Sequence, residues 1–180
     1  MSEKIIASAH RLAMEGGAEN LTVRRILCDL DITGRVFYNR FEDVSEVLAI
    51  AYQNTAKKIR ESLQPQFDPN KDFFDQIIEI GANTLRLSYE NKKNFSRYIF
   101  ESDSASNENY VWWKTRIEEI LTLGKENGHF ANVDSDVMSY AIWCFIRGYN
   151  ADALDRGIPM EKAISDFKYS FRILLMGMRA

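Results

Sequence analysis

Residues Thr22 to Phe41 read TVRRILCDLDITGRVFYNRF. Val23, Ile26, Leu27 and Leu30 fall at i, i+3, i+4 and i+7, the stripe of a short amphipathic helix. Asp31-Ile32-Thr33 interrupts the stripe, and Val36, Phe37 and Phe41 begin a second apolar pattern. Thr22 and Thr33 each stand just before a pattern, where a hydroxyl can cap free helix amides. Two short helices with a three-to-four-residue turn form a helix-turn-helix, whose second helix can lie in a DNA major groove. The same spacing also suits a plain three-helix packing unit with Arg24, Arg25 and Arg35 as solvated surface.

The rest of the chain sets bounds on this reading. The sequence has 180 residues, of which 46% are apolar and 27% charged, enough for a sizeable core in one large domain or two small ones. Its longest strongly apolar run, Ala141 to Ile146, is too short to cross a bilayer, and the N-terminus has no signal pattern. A cytoplasmic, membrane-free protein is expected. Cys28 and Cys144 are isolated, so no zinc site or disulfide framework is indicated. Net charge is −3, but Thr22 to Phe41 holds four Arg against two Asp, a modestly basic segment on an acidic chain.

Helical periodicity continues to the end. A first helix runs from Ser2 to about Glu15 and stops at Gly16-Gly17. A long helix starts near Asp43 and reaches about Leu63. Pro65 and Pro69 break the chain there. Helices follow over 72–89, 93–100, 110–126, 134–156 and from Pro159 onward, with a polar loop over 102–109. The helix over 134–156 is apolar on nearly all sides, which predicts burial. The expected class is all-α with about nine helices and no strands. A three-helix head over residues 1–50 is joined by the long fourth helix to a helical bundle over 51–180.

Thr22-Val23-Arg24, Ile26-Leu27, Asp31-Ile32-Thr33 and Arg35-Val36-Phe37-Tyr38-Asn39-Arg40-Phe41 resemble the DNA-binding segment of the TetR/AcrR family of bacterial transcriptional regulators. The resemblance runs from about Ile5 to Tyr52. It implies a homodimer paired through its last two helices, a double-stranded DNA operator, and a small-molecule effector of unknown identity. It also assigns DNA contacts to Thr22, Arg24, Thr33, Arg35, Tyr38 and Asn39, and the outward face of the second helix adds Gly34 and Arg40. The chemistry of these residues agrees: Arg can read guanine and Asn adenine, while a Tyr hydroxyl and helix-start amides suit phosphates. The chain departs from the family pattern at Asp31, where Gly is usual, and at Val36, where Thr is frequent. Arg40 replaces a Tyr or His, and Val44 replaces a phosphate-reaching Lys.

By the same resemblance, the C-terminal bundle holds the effector. Its aromatics and nearby polar groups suggest a lining of Asn83, Arg86, Tyr98, Trp112, Trp113, Arg116, Trp143 and Tyr149, for an aromatic, lipid-like or drug-like compound. The expected function is a ligand-responsive repressor released from a palindromic operator. The alternative is a small-molecule-binding or interaction protein whose DNA head is weak or lost. No nucleophile–base pair, metal cluster or phosphate loop can be assembled, so no enzyme, cofactor or metal is expected.

Overall fold

The computed structural model describes residues 1–62, 67–91, 95, 98, 102 and 106–180. They form eight α-helices and no strand: α1 (Ser2–Gly16), α2 (Val23–Leu30), α3 (Gly34–Tyr38), α4 (Val44–Ser62), α5 (Phe73–Glu90), α6 (Asn107–Glu126), α7 (Ser135–Asp155) and α8 (Met160–Met176). A 3-10 turn, Ala18–Asn20, links α1 to α2. The ninth helix expected over 93–100, the Pro65 break and part of the 102–109 loop lie largely outside the described residues. The loop ends earlier than expected, because Ser106 accepts a bond from the Asn109 amide and starts α6 at Asn107.

The chain divides into two compact units. The first comprises Met1–Ser62 and Asn91–Ser102, and the second Leu63–Glu90 and Asp103–Ala180. The boundary expected at residue 50 therefore falls inside α4. All of α4 belongs to the first unit, because Val47, Leu48, Ala51, Tyr52 and Ala56 are buried along one side of it.

In the first unit Ile5, Ala9, Leu12 and Ala13 bury the stripe of α1 against α2 and α4. Gly17 ends α1 at φ 90°, a backbone region costly for residues with a Cβ. Phe95, fully buried, belongs to the same core, and the His10 ring meets it edge-on at 4.7 Å. Burial, and then the charge of Lys58, hold the His10 imidazole below its ordinary pKa.

In the second unit α5 packs on α8 and α7, and α6 on α7. Phe73, Ile77, Ile78, Leu85, Leu121, Phe167, Phe171 and Leu175 form its core. Two glycines set the closest approaches. A Cβ on Gly81 would lie 2.8 Å from the Phe167 ring, and one on Gly124 would lie 2.3 Å from the Phe130 ring. At the start of α5 the Gln76 side chain accepts from the Asp68 amide and donates to the Asp68 and Asp72 carbonyls, while the Asp72 carboxylate accepts the Asp75 amide. Lys168 pairs with Glu79 and Arg172 with Asp75, tying α8 to α5. The tail closes with a single bridge between Phe130 and Arg179.

One expectation about burial fails. α7 is not buried all round: Val137, Tyr140, Ala141, Cys144 and Gly148 are exposed along one stripe, and only Ser139, Ile142, Trp143 and Ala153 are buried. α8 likewise exposes Tyr169 and Ile173. A single chain has too few packing partners to cover both sides of these helices.

Candidate nucleic-acid interface and interior cavity

The helix-turn-helix forms as its sequence pattern requires. The Thr22 hydroxyl accepts the Arg25 amide at 3.3 Å and caps α2. Asp31 adopts φ 51°, ψ 48°, the left-handed conformation in which Gly is usual, and the Ile32 amide donates to the Leu27 carbonyl at 3.1 Å. Asp can take this conformation at modest cost, so the turn survives its departure from the family pattern. Thr33 precedes α3 with extended backbone, but its hydroxyl makes no capping bond. The cap expected of Thr33 is absent.

α3 is short, and one residue locks it. Phe37 is fully buried, in contact with Phe41 and Tyr38 at centroid distances of 5.8 and 5.3 Å. With Phe37 inward, the 100° step of a helix turns Arg35, Tyr38 and Asn39 outward. All three are exposed, Tyr38 by 61%. Arg24 and Thr22 at the start of α2 are exposed as well. Arg24 and Arg35 form no ion pair among the described residues.

Other basic side chains are occupied. Arg25 donates to the Asn20 carbonyl at 3.1 Å and lies against Gly16. Arg40 donates to the Val36 carbonyl at 2.7 Å, placing its positive charge at the negative end of α3. Its remaining N–H groups stay exposed. Asp29 accepts from Ser8 and from Arg11, which holds its carboxyl below the usual range and ties α2 to α1. Asp43 accepts the Glu46 amide at 2.9 Å while the Glu46 carboxylate accepts the Glu42 amide at 2.6 Å, so α4 starts with a reciprocal acidic cap. Where the family pattern has a lysine, this chain has Val44 between carboxylates.

The residues expected to line an effector site do not converge. The second unit contains an apolar cavity bordered by Ile80 and Thr84 of α5, Trp113 and Ile120 of α6, and Ile146 of α7. Of the eight expected residues, only Trp113 and Arg116 border it. Asn83 and Arg86 bond to each other. Trp143 is buried with its ring stacked on Trp113 at 6.1 Å. Trp112 meets Trp113 edge-on at 4.8 Å. The Tyr149 hydroxyl donates to the Ala163 carbonyl at 3.3 Å, and burial raises its pKa. Tyr98 stacks on Phe95 and belongs to the first unit.

Reasoning from aromatics missed the isoleucines. Their signal was present, since Ile77, Ile80, Gly81 and Thr84 share one face of α5, and Trp113, Ile117, Ile120 and Leu121 one face of α6. No group of His, Cys, Asp and Glu among the described residues could hold a metal ion. No described helix is long and apolar enough to cross a membrane.

A short helix-turn-helix unit followed by a larger all-helical unit is a fold that solved structures share over nearly the whole chain. A TetR-family transcriptional regulator from Pectobacterium atrosepticum aligns over 99% of this chain and 94% of its own, with a TM-score of 0.83 and 14% identity. A transcriptional regulator from Aquifex aeolicus aligns over 96% and 98% of the two chains with a TM-score of 0.67 and 18% identity. The fatty acid degradation regulator FadR from Bacillus halodurans aligns over 93% and 92%, with a TM-score of 0.67 and 16% identity. No family model and no curated protein matches the sequence itself. The chain has the fold of the TetR-family transcriptional regulators.

Proposed function

We propose that this chain is a homodimeric transcriptional regulator that represses by occupying a palindromic DNA operator and is released by a small molecule held in its second unit. The observation that carries the DNA-binding reading is the face of α3. Phe37 is fully buried, so Arg35, Tyr38 and Asn39 all project to solvent. Arg35 and Asn39 then supply base-edge donors, while Thr22, Thr33, Gly34 and Tyr38 meet phosphates and Arg24 reads from the start of α2. Arg40 adds charge at the end of the helix.

Dimerisation is supported by the exposed stripes of α7 and α8, where Val137, Tyr140, Tyr169 and Ile173 are each more than half exposed. Covering such residues favours self-association, and a two-fold pair would place two reading helices about 34 Å apart. An effector favouring a wrongly spaced pair would release DNA. The test is selection of bound sequences from a random DNA pool, then gel shift with the selected site. Arg35→Ala and Arg24→Ala should each weaken binding by about 1–3 kcal/mol with the fold intact. If both leave sequence-specific binding unchanged, the assignment fails. Glu42, Asp43 and Glu46 beside Val44 favour the alternative of a weak or lost DNA head, and an empty selection would support that alternative.

A further inference from the structure

Two adjacent arginines open α2, and the protein holds them differently. Both are exposed, but Arg25 is built into the connection between α1 and α2. The Arg25 amide meets the Thr22 carbonyl at 3.1 Å and the Thr22 hydroxyl at 3.3 Å. Its guanidinium reaches back and donates from Nη1 to the Asn20 carbonyl at 3.1 Å. Asn20 Nδ2 in turn donates to the Gly16 carbonyl at 2.8 Å, at the end of α1. The guanidinium also lies over Gly16 itself. A Cβ there would stand 3.1 and 3.2 Å from the two terminal nitrogens of Arg25. Gly17, not Gly16, supplies the positive φ that ends α1, so the backbone does not demand glycine at residue 16. Its missing side chain leaves room for the Arg25 charge at the carbonyl end of α1, where the helix dipole favours a cation.

We propose that Arg25 is a positioning residue for DNA reading: it ties the first turn of α2 to the end of α1 so that Arg24 meets its base pair, and it touches no DNA itself. The proposal rests on the DNA-binding reading of this face and adds the residue that aims it. The 100° step of a helix separates the directions of Arg24 and Arg25, and the Arg25 guanidinium is already turned back to Asn20 and Gly16. Reaching a phosphate would break that bond. Position matters because a guanidinium reads guanine through two hydrogen bonds at once, which tolerate little displacement. α2 has only eight residues, so few bonds of its own resist a shift. Asp29, with Ser8 and Arg11, holds the far end of α2 to α1. Arg25 is the matching tie at the end where Arg24 stands.

Bound sequences are selected from a random DNA pool with the full chain and with four variants, each shown to be helical by circular dichroism. The variants are Arg24→Ala, Arg25→Ala, Gly16→Val and the double variant of both arginines to Ala. Arg24→Ala marks the operator positions that Arg24 reads. Arg25→Ala should lower the base preference at those same positions by about fivefold or more and leave the positions read by α3 as they are. Gly16→Val keeps both arginines and fills the place of the Arg25 guanidinium, so it should do the same with charge unchanged. The double variant should flatten those positions no further than Arg24→Ala alone. Uniform weakening across sequences by Arg25→Ala, with a salt slope lower by about 0.9 per contact and no effect of Gly16→Val, makes Arg25 a phosphate contact and overturns the proposal. So does lost preference at positions that Arg24→Ala leaves intact, or no change in either Arg25→Ala or Gly16→Val. An Arg24→Ala variant with unchanged preferences overturns it too, since nothing is then positioned. If the full chain selects no sequence, the DNA-binding reading falls and the proposal with it. A selected operator that only Arg24→Ala alters removes the proposal and keeps that reading.

Discussion

The two units treat their polar side chains in opposite ways. In the first, Arg24, Arg35, Tyr38 and Asn39 point to solvent from a surface whose shape is set by buried apolar residues. In the second, Thr84, Asn83 and Arg86 bond to protein partners and one N–H group of Arg116 pairs with Glu119, around a space lined mainly by carbon. The difference follows from solvent. A polar group facing water keeps its hydrogen bonds until a ligand arrives, so it can stay available at little cost. A polar group facing a closed apolar space has no water to fall back on and is stable only when the protein itself satisfies it.

The sharpest attack on this contrast removes what positions the outward face. Phe37→Ala should cost about 3–5 kcal/mol and melt the first unit before the second, seen as a separate early transition in calorimetry. A single unchanged transition would mean that Phe37 does not hold α3. Next come two substitutions with matched sizes and opposite readouts. Thr84→Val keeps the shape but strands Asn150 Nδ2, so it should lower stability by about 1–3 kcal/mol, read from chemical denaturation. Arg35→Ala should lose a similar amount in operator affinity while the melting curve stays in place. If Thr84→Val leaves stability unchanged, or Arg35→Ala unfolds the head, the contrast between the units breaks.

Two smaller effects sharpen it. A Cβ on Gly34 would meet only the Tyr38 ring at 3.8 Å and Leu27 at 4.0 Å, both ordinary contacts. Gly34→Ala should therefore keep the fold or stabilise it by up to about 1 kcal/mol, while weakening DNA binding if the backbone there lies against a phosphate. Chemical denaturation and gel shift together read both. The smallest effect concerns His10. Its folded-state pKa lies below the ordinary value of 6.5, so the unfolded chain binds more protons near that pH. Its contribution is intact above pH 6.5 and is lost as pH falls through the lower folded value. Denaturation midpoints from pH 7 down to 5 should fall in the wild type and fall less in His10→Gln.

Most of the first unit was legible because its determinants are local. The stripe of α2, the Thr22 cap, the turn at Asp31 and the inward Phe37 and Phe41 all follow from residues within one or two helical turns of one another. The paired Gly16-Gly17 marked the end of α1 for the same reason. The second unit was legible only as helices. Of the residues expected around an effector only Trp113 and Arg116 border the cavity described here, since aromatic content says nothing of which face a ring occupies, and Trp143, Tyr149 and Tyr98 each pack elsewhere.

By itself, then, the sequence determined the all-helical class, the positions of most helix ends and the outward side of α3, since periodicity and capping act over a few residues. Only the tertiary structure decided which charges remain available. Asn20 occupies Arg25 and the Val36 carbonyl occupies one N–H of Arg40, whereas Arg24 and Arg35 form no ion pair among the described residues. It likewise decided that α7 keeps an exposed apolar stripe and that Thr84 faces the cavity with its methyl group, because those outcomes depend on partners up to 66 residues away in sequence.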